Sequence, residues 1–141
     1  MVISKLNGKY KSVAIMSTII GFYTFVQPDK VISNEMPTGG QVQSGNVTIT
    51  GTGTNHMIID SKSQKSIINW NSFSIHKKGR VDFNQPSASS FSLNRVTGST
   101  PSTIAGQLNS NGKVMLVNPN GVVITPSGVV NTRSFTASTL N

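Results

Sequence analysis

The sequence predicts an all-β protein, and three observations lead to that class. After Gly40, apolar residues show no run with the three-to-four-residue period of a helix. The chain contains 20 Ser, 14 Thr, 14 Asn and 13 Gly, together 61 of 141 residues, with Val, Ile and Phe interleaved among them. Turn signals recur about every 8–12 residues, which is the spacing of short strands. Only 11% of residues are charged, below the roughly 25% of an ordinary soluble domain.

Ten short strands are predicted after residue 40, each bounded by turn residues. In order they cover residues 46–50, 57–60, 66–70, 73–75, 81–84, 91–96, 103–108, 113–118, 122–125 and 129–135. The turn signals between them include residues 51–53, 78–79, 85–86, 111–112, 118–121 and 127–128. This spacing fits a sandwich, a barrel or a solenoid. The sequence has no clean repeat of about 20 residues that would decide among them.

Two details favour stacked coils. The phase of apolar alternation changes at Ser72, from Ile68 and Trp70 to Phe73 and Ile75, which indicates a bend in a continuous strand path. Trp70 and Phe73 are expected in the core because their neighbours are apolar. Asparagine recurs within strands where a sandwich would favour Thr or Val, and stacked asparagines can form hydrogen-bonded ladders. These asparagines are residues 69, 71, 84, 94, 118 and 131.

The most informative run is residues 111–124, in which two apolar segments flank Asn118-Pro119-Asn120-Gly121. Pro119 fixes the φ angle that the second position of a turn requires. Asn120 tolerates the third position, and Gly121 supplies conformational freedom at the exit. Apolar residues alternate on both sides, so the tetrapeptide is predicted to join two half-buried strands.

This turn is one of a series of motifs that follow each other along the chain. They are MPTGG at 36–40, INWNSFSI at 68–75, VDFNQP at 81–86, LNRVTG at 93–98, PSTIAG at 101–106, NPNG at 118–121 and NTRSFTAST at 131–139. In that order they resemble the N-terminal domain of two-partner-secreted exoproteins, the filamentous-haemagglutinin or haemagglutination-activity domain. The resemblance covers residues 37–141 and is greatest to the high-molecular-weight adhesin branch.

The resemblance implies a fold and a function. The fold would be a right-handed parallel β-helix, a single-stranded solenoid of the pectin-lyase-like type, with an N-terminal cap and extra antiparallel strands. The function would be a secretion signal, recognised in the periplasm by POTRA domains of an outer-membrane β-barrel transporter. The domain would then nucleate β-helix folding outside the cell. The protein would be secreted or displayed on the surface of a Gram-negative bacterium.

Six residues are candidates for partner recognition. The resemblance assigns the turn residues Asn118, Pro119, Asn120 and Gly121 to the secretion signal, although the same four residues also make a tight turn for purely structural reasons. Asn94 and Arg95 are the remaining two candidates. Arg95 is either half-buried among acceptors such as Asn94, or projects from the surface as a contact residue. The NPNL tetrapeptide of the family is absent here.

The first 33 residues are predicted to be a signal peptide, and residues 34–141 the secretion domain. Lys5, Lys9 and Lys11 precede an uncharged, largely apolar stretch at 12–26, the pattern of an export leader. That stretch is shorter than the roughly 20 residues of a membrane-spanning helix, so no stable transmembrane segment is expected. The best match to a cleavage site, residues 31–33, puts cleavage after Ser33, and an uncleaved leader is the alternative.

Composition argues against other function classes. The chain has no cysteine, and residues 34–141 carry only three acids, Glu35, Asp60 and Asp82. Clustered acids for hydrolytic catalysis are therefore lacking, and we expect no enzyme, no cofactor and no metal site. His56 and His76 are predicted to be surface turn residues. The basic residues are spread along the chain, which disfavours nucleic-acid binding.

Two alternatives to the secretion signal remain at this level. The domain could be a surface adhesin module that binds host glycans or proteins directly or through a longer chain. It could also be the N-terminal part of a contact-dependent growth-inhibition toxin. Both rest on the resemblance alone.

Overall fold

The computed structural model describes residues 2–6, 9–13 and 35–140, and it describes side chains for residues 35–140. Strands β1 (Val2–Leu6) and β2 (Lys9–Val13) form an antiparallel pair and belong to a separate compact unit. No strand was predicted there. The rest of the predicted leader, with its expected cleavage after Ser33, lies outside the described residues. Within the described part of the chain, no helix has the length and hydropathy needed to cross a membrane.

The second unit consists of short strands joined by turns. They are β3 (Gln41–Ser44), β4 (Val47–Thr50), β5 (His56–Ser61), β6 (Lys65–Trp70), β7 (Arg80–Asn84), β8 (Phe91–Val96), β9 (Ser102–Ile104), β10 (Gln107–Ser110), β11 (Lys113–Val117), β12 (Val122–Ile124), β13 (Val129–Asn131) and β14 (Ser134–Ser138). Residues 35–140 contain no helix. The all-β class is confirmed.

The strands stack into three parallel faces. The first face contains β5, β7, β10 and β13, and the second contains β6, β8, β11 and β14. The third contains β9 and β12, extended by a parallel bridge between Ile75 and Ile104. Consecutive strands lie on different faces, so the chain winds into a β-solenoid of about four turns. This confirms the parallel β-helix and excludes the sandwich and the barrel.

Antiparallel strands cover the N-terminal end of the stack. β4 pairs with β5, and β3 pairs with β6, with a register shift between Val42 and Ser44. An antiparallel strand ends a parallel stack because it pairs the exposed edge of the first coil. The expected N-terminal cap is therefore present.

The coils differ in length, which hides the repeat. On the first face one column of paired residues runs His56, Arg80, Gln107 and Val129, so successive steps are 24, 27 and 22 residues. The extra residues lie in the corners between strands. A constant repeat of about 20 residues is therefore absent from the sequence although the architecture is repetitive.

The strand predictions fail at the corners. Residues 103–108 and 129–135 were each expected to form one strand, but each is split between two faces, β9 and β10 or β13 and β14. Residues 73–75 form no strand and make only the bridge at Ile75. The bend expected at Ser72 is confirmed, since β6 ends at Trp70 and Ser72 bridges back to Thr38.

The interior is a single column of apolar side chains with an aromatic centre. Trp70 and Phe73 are each 1% exposed, and their rings meet edge to face with centroids 5.4 Å apart. Phe73 in turn stacks against Phe83 at 6.5 Å. The burial predicted for Trp70 and Phe73 is confirmed, and together with Phe83 they are the largest fully buried side chains of residues 35–140.

Candidate functional site

The turn at residues 118–121 joins β11 to β12 and forms a corner of the third coil. Its backbone closes through the Gly121 amide, which donates to the Asn118 carbonyl at 3.0 Å. Gly121 has a φ of 117°, a conformation that residues with a Cβ rarely adopt. The predicted turn between two strands is therefore present.

Asn118 is fully buried and every polar atom of its side chain is paired. Its amide nitrogen donates to the Thr100 carbonyl at 3.0 Å and to the Ser102 hydroxyl at 2.9 Å. Its carbonyl oxygen accepts from the Asn120 backbone amide at 2.9 Å and from the Asn120 side chain at 3.0 Å. Asn118 thus ties its own turn to the corner of the preceding coil.

The exposed part of the turn consists of Pro119 and Asn120. The Asn120 side-chain amide donates to the Gly98 carbonyl at 2.9 Å. Gly98 ends the LNRVTG motif, so the two motifs that carry the recognition candidates occupy one corner of adjacent coils. This neighbourhood was not derivable from their separation in sequence.

Asn94 lies inside the solenoid. It is 0% exposed, accepts a hydrogen bond from the Trp70 indole at 2.9 Å, and donates to the Ser92 hydroxyl at 3.2 Å. Because an unpaired indole N–H in the core would be costly, Asn94 is a partner of the aromatic core. Its side chain is committed to the core, and its part in partner recognition stays a prediction.

Arg95 projects outward from β8 and is exposed. The half-buried alternative for this residue is therefore wrong, while its role as a contact residue stays a prediction. Leu93 is half-buried and points outward with Arg95, whereas Ser92 and Asn94 point inward. In this part of β8 the two polar residues, rather than the leucine, face the core.

The six candidates therefore divide into two groups. Arg95, Pro119 and Asn120 are exposed at the junction of the second and third faces, whereas Asn94 and Asn118 are interior and Gly121 is half-buried. Arg95 pairs with Val117, the residue directly before the turn. Only the exposed group is available to contact a partner while the domain is folded.

Within residues 35–140, the asparagines do not form a hydrogen-bonded ladder. Asn84 donates to Asp60 at 2.8 Å and Asn109 donates to Asp82 at 2.9 Å. In this part of the chain, the only side-chain bond between two asparagines joins Asn118 and Asn120, within one turn. Asparagine is used here for corners and carboxylate contacts because its amide offers both donors and an acceptor.

His76 was predicted at the surface, and that prediction is wrong. It lies in a turn but is only 6% exposed. Its Nε2 contacts the Asn55 side chain at 3.0 Å, and its Nδ1 accepts from the Lys78 amide at 3.2 Å. His56 is exposed, as expected, at the start of β5. Residues 35–140 contain no group of three metal-ligating side chains.

The first face carries a charged cluster that the sequence did not indicate. Asp82 accepts from His56 at 2.7 Å, from Arg80 at 2.9 Å and from Asn109 at 2.9 Å. Its partners come from three coils and approach because those coils stack in register. The only sequence signal was the alternation of polar residues in 80–84 and 107–109, which predicts an outward polar face but no partners.

Asp82 should make the domain acid-sensitive. Partial burial favours the neutral form, but hydrogen bonds from Arg80, Asn109 and His56 outweigh it and hold the pKa of Asp82 below 3.8. The resulting stability is complete above the unfolded-state pKa and is lost as pH falls through the lower folded-state pKa. We expect a loss of up to about 1 kcal/mol in unfolding free energy below pH ~4, because the cluster is solvent-accessible.

Urea unfolding as a function of pH tests this expectation. Asp82→Asn should abolish the part of the low-pH loss in unfolding free energy that protonation of this carboxylate causes. Asp60→Asn is the matched control, since Asp60 accepts from the neutral amide of Asn84. Identical acid profiles for Asp82→Asn and the wild type would contradict the assignment.

With this geometry established, comparison with known proteins gives the family. The family model described as TPS secretion domain, where TPS denotes two-partner secretion, matches residues 33–141. The chain belongs to this family. It is a secretion domain of the kind found in bacterial exoproteins that are exported with the help of an outer-membrane transporter.

Individual relatives agree with the family assignment. A solved structure, the HMW1 secretion domain from Haemophilus influenzae, is 41% identical with a TM-score of 0.70, covering 74% of this chain and 28% of the other. Two heme/hemopexin-binding proteins of Haemophilus influenzae are 39% identical over 125 residues and 38% identical over 128 residues. Those matches cover 89% and 91% of this chain but only 14% and 13% of the relatives.

Proposed function

We propose that this TPS domain is the export signal that POTRA domains of a cognate outer-membrane β-barrel transporter recognise in the periplasm. The observation that carries the proposal is the match of residues 33–141 to the secretion-domain family, which takes in the entire solenoid. The exposed corner residues Arg95, Pro119 and Asn120 agree with it, since they offer a cation and polar groups next to each other.

The stacking suggests how folding would assist export. In the second and third coils, β7, β8, β10, β11 and β12 each pair with a strand whose partner residues lie at least 20 positions earlier, for example Lys113 with Phe91 and Ile124 with Ile104. A coil therefore forms on the edge presented by the coil before it, as in other solenoids. A chain that crosses the outer membrane unfolded would add coils outside, and that folding would oppose its return.

Export itself tests the proposal. The full chain, expressed in a Gram-negative host with the cognate transporter, should reach the medium, and it should remain in the periplasm when the transporter is absent. A transporter lacking its POTRA domains but still inserted in the outer membrane serves as the control and should fail to release the chain. Equal release with and without the transporter would overturn the proposal.

A further inference from the structure

On the second face of the solenoid, polar residues take some of the inward positions and apolar residues some of the outward ones. Ser66, Ser92 and Asn94 point into the interior, with exposures of 2%, 1% and 0%. Between them, Ile67 and Leu93 point outward, are half-buried, and take no part in the apolar core. A strand that only had to close the core would place its apolar residues inside.

The outward apolar side chains lie side by side. Ile67, Leu93 and Met115 are paired directly in register across β6, β8 and β11. Phe91, also outside the core cluster, stands two residues before Leu93 on the same side of β8. We call Ile67, Phe91, Leu93 and Met115 the outer stripe. Side chains paired directly across strands approach to about 5 Å between Cβ atoms, so the stripe forms one continuous apolar surface.

Cations border the outer stripe. Lys65 and Lys113 flank Phe91 in one column, and Arg95 extends from the other side of Leu93, all three exposed. Strands β6, β8, β11 and β14 contain no acidic residue. Within residues 35–140, both ion pairs involve Asp82 on the first face. The charged side chains of these four strands are therefore all positive, and they lie beside the outer stripe.

We propose that the outer stripe, with Lys65, Arg95 and Lys113, is the surface that docks the periplasmic domains of the transporter. The proposal rests on the proposed function above. The occupant defined by this chemistry is a protein surface with apolar side chains beside carboxylates. Charge complementarity of this kind accelerates encounter and selects the partner, while the apolar contacts supply affinity once water is excluded.

In this arrangement, one set of side chains on a strand contacts the partner and the other set packs in the core. In β8 the outward residues Phe91, Leu93 and Arg95 carry the contact, while the inward residues serve the core through Asn94 and its bond to Trp70. The alternation of side chains is a property of any extended strand. A partner can therefore contact the outer stripe of the stacked coils without disturbing the bond between Asn94 and Trp70.

The test measures binding of the full chain to the purified periplasmic region of the transporter. Leu93→Gln and Arg95→Glu together should raise the Kd at least tenfold. Val123→Gln and Arg133→Glu, made together, are the matched control. They make the same two types of substitution at Val123 on the third face, which is 55% exposed, and at the exposed Arg133 between β13 and β14. The control pair should leave the Kd within about twofold of the wild type.

Circular dichroism and thermal unfolding verify that both pairs still fold. If the wild type binds and the variant with Leu93→Gln and Arg95→Glu binds with the same Kd, the stripe proposal is overturned and the proposed function stands. Absence of binding by the wild type would overturn the proposed function itself. If gel filtration shows a wild-type dimer that the Leu93/Arg95 pair abolishes, the occupant is a second copy and the stripe proposal is again overturned.

Discussion

Replacing Gly106 with alanine is expected to prevent stable folding of the solenoid. Gly106 lies at the corner between β9 and β10, where a Cβ would collide with the backbone carbonyl oxygens of His76 and Gly79 in the preceding coil. Neither oxygen can move freely, since the His76 carbonyl accepts from the Gly79 amide at 2.7 Å and the Gly79 carbonyl accepts from the Gln107 amide at 3.0 Å. We expect a loss of at least about 3 kcal/mol in unfolding free energy.

Urea unfolding followed by circular dichroism measures the effect. Gly53→Ala is the matched control, because nothing lies within 4 Å of its added Cβ while its φ of 79° carries only the left-handed penalty, about 1–2 kcal/mol. A Gly106→Ala variant as stable as the wild type would contradict the close backbone approach between coils.

Asn118→Ala is expected to destabilise the domain by about 2–4 kcal/mol. The substitution leaves the buried Ser102 hydroxyl and the Thr100 carbonyl without the Asn118 amide, and it removes the acceptor of the Asn120 backbone amide. Each unsatisfied buried group costs about 1–3 kcal/mol. The substitution would therefore act on the turn at residues 118–121 as a corner of the fold.

The neighbouring Asn120→Ala provides the comparison. Asn120 is exposed, and its side-chain amide donates to the Gly98 carbonyl. We therefore expect Asn120→Ala to lower the unfolding free energy by less than about 1 kcal/mol. Thermal unfolding of both variants distinguishes the two roles. Equal losses would show that the burial of Asn118 does not govern the stability of the turn.

The sequence was sufficient for the all-β class and for most strands. Turn residues and local alternation identified β4 to β8, β11 and β12 because both are local properties of the chain. The corner inside residues 103–108 was missed, since the apolar residues Ile104 and Leu108 keep one phase across it. Only Gly106 marks that corner, and an isolated glycine is an ambiguous signal.

The arrangement of the candidate site could not be predicted to the same extent. The NPNG turn is local and was predicted, but the burial of Asn118 depends on Thr100 and Ser102, which lie one coil earlier. Similarly, both alternating sets of residues in β8 contain polar and apolar side chains, so the sequence does not show which set faces the core. The set that contains Asn94 faces inward, where Asn94 bonds Trp70, and these two residues are brought together only by coil stacking.

Whether this domain is an export signal depends on the affinity of the wild-type chain for the periplasmic POTRA region of its transporter. We expect saturable binding that weakens as salt is raised, because cations border the docking surface and exposed charges are screened by added ions. We also expect that the POTRA region of an unrelated transporter will not compete. A folded chain that binds no POTRA region at low salt would contradict the assignment of this domain as an export signal.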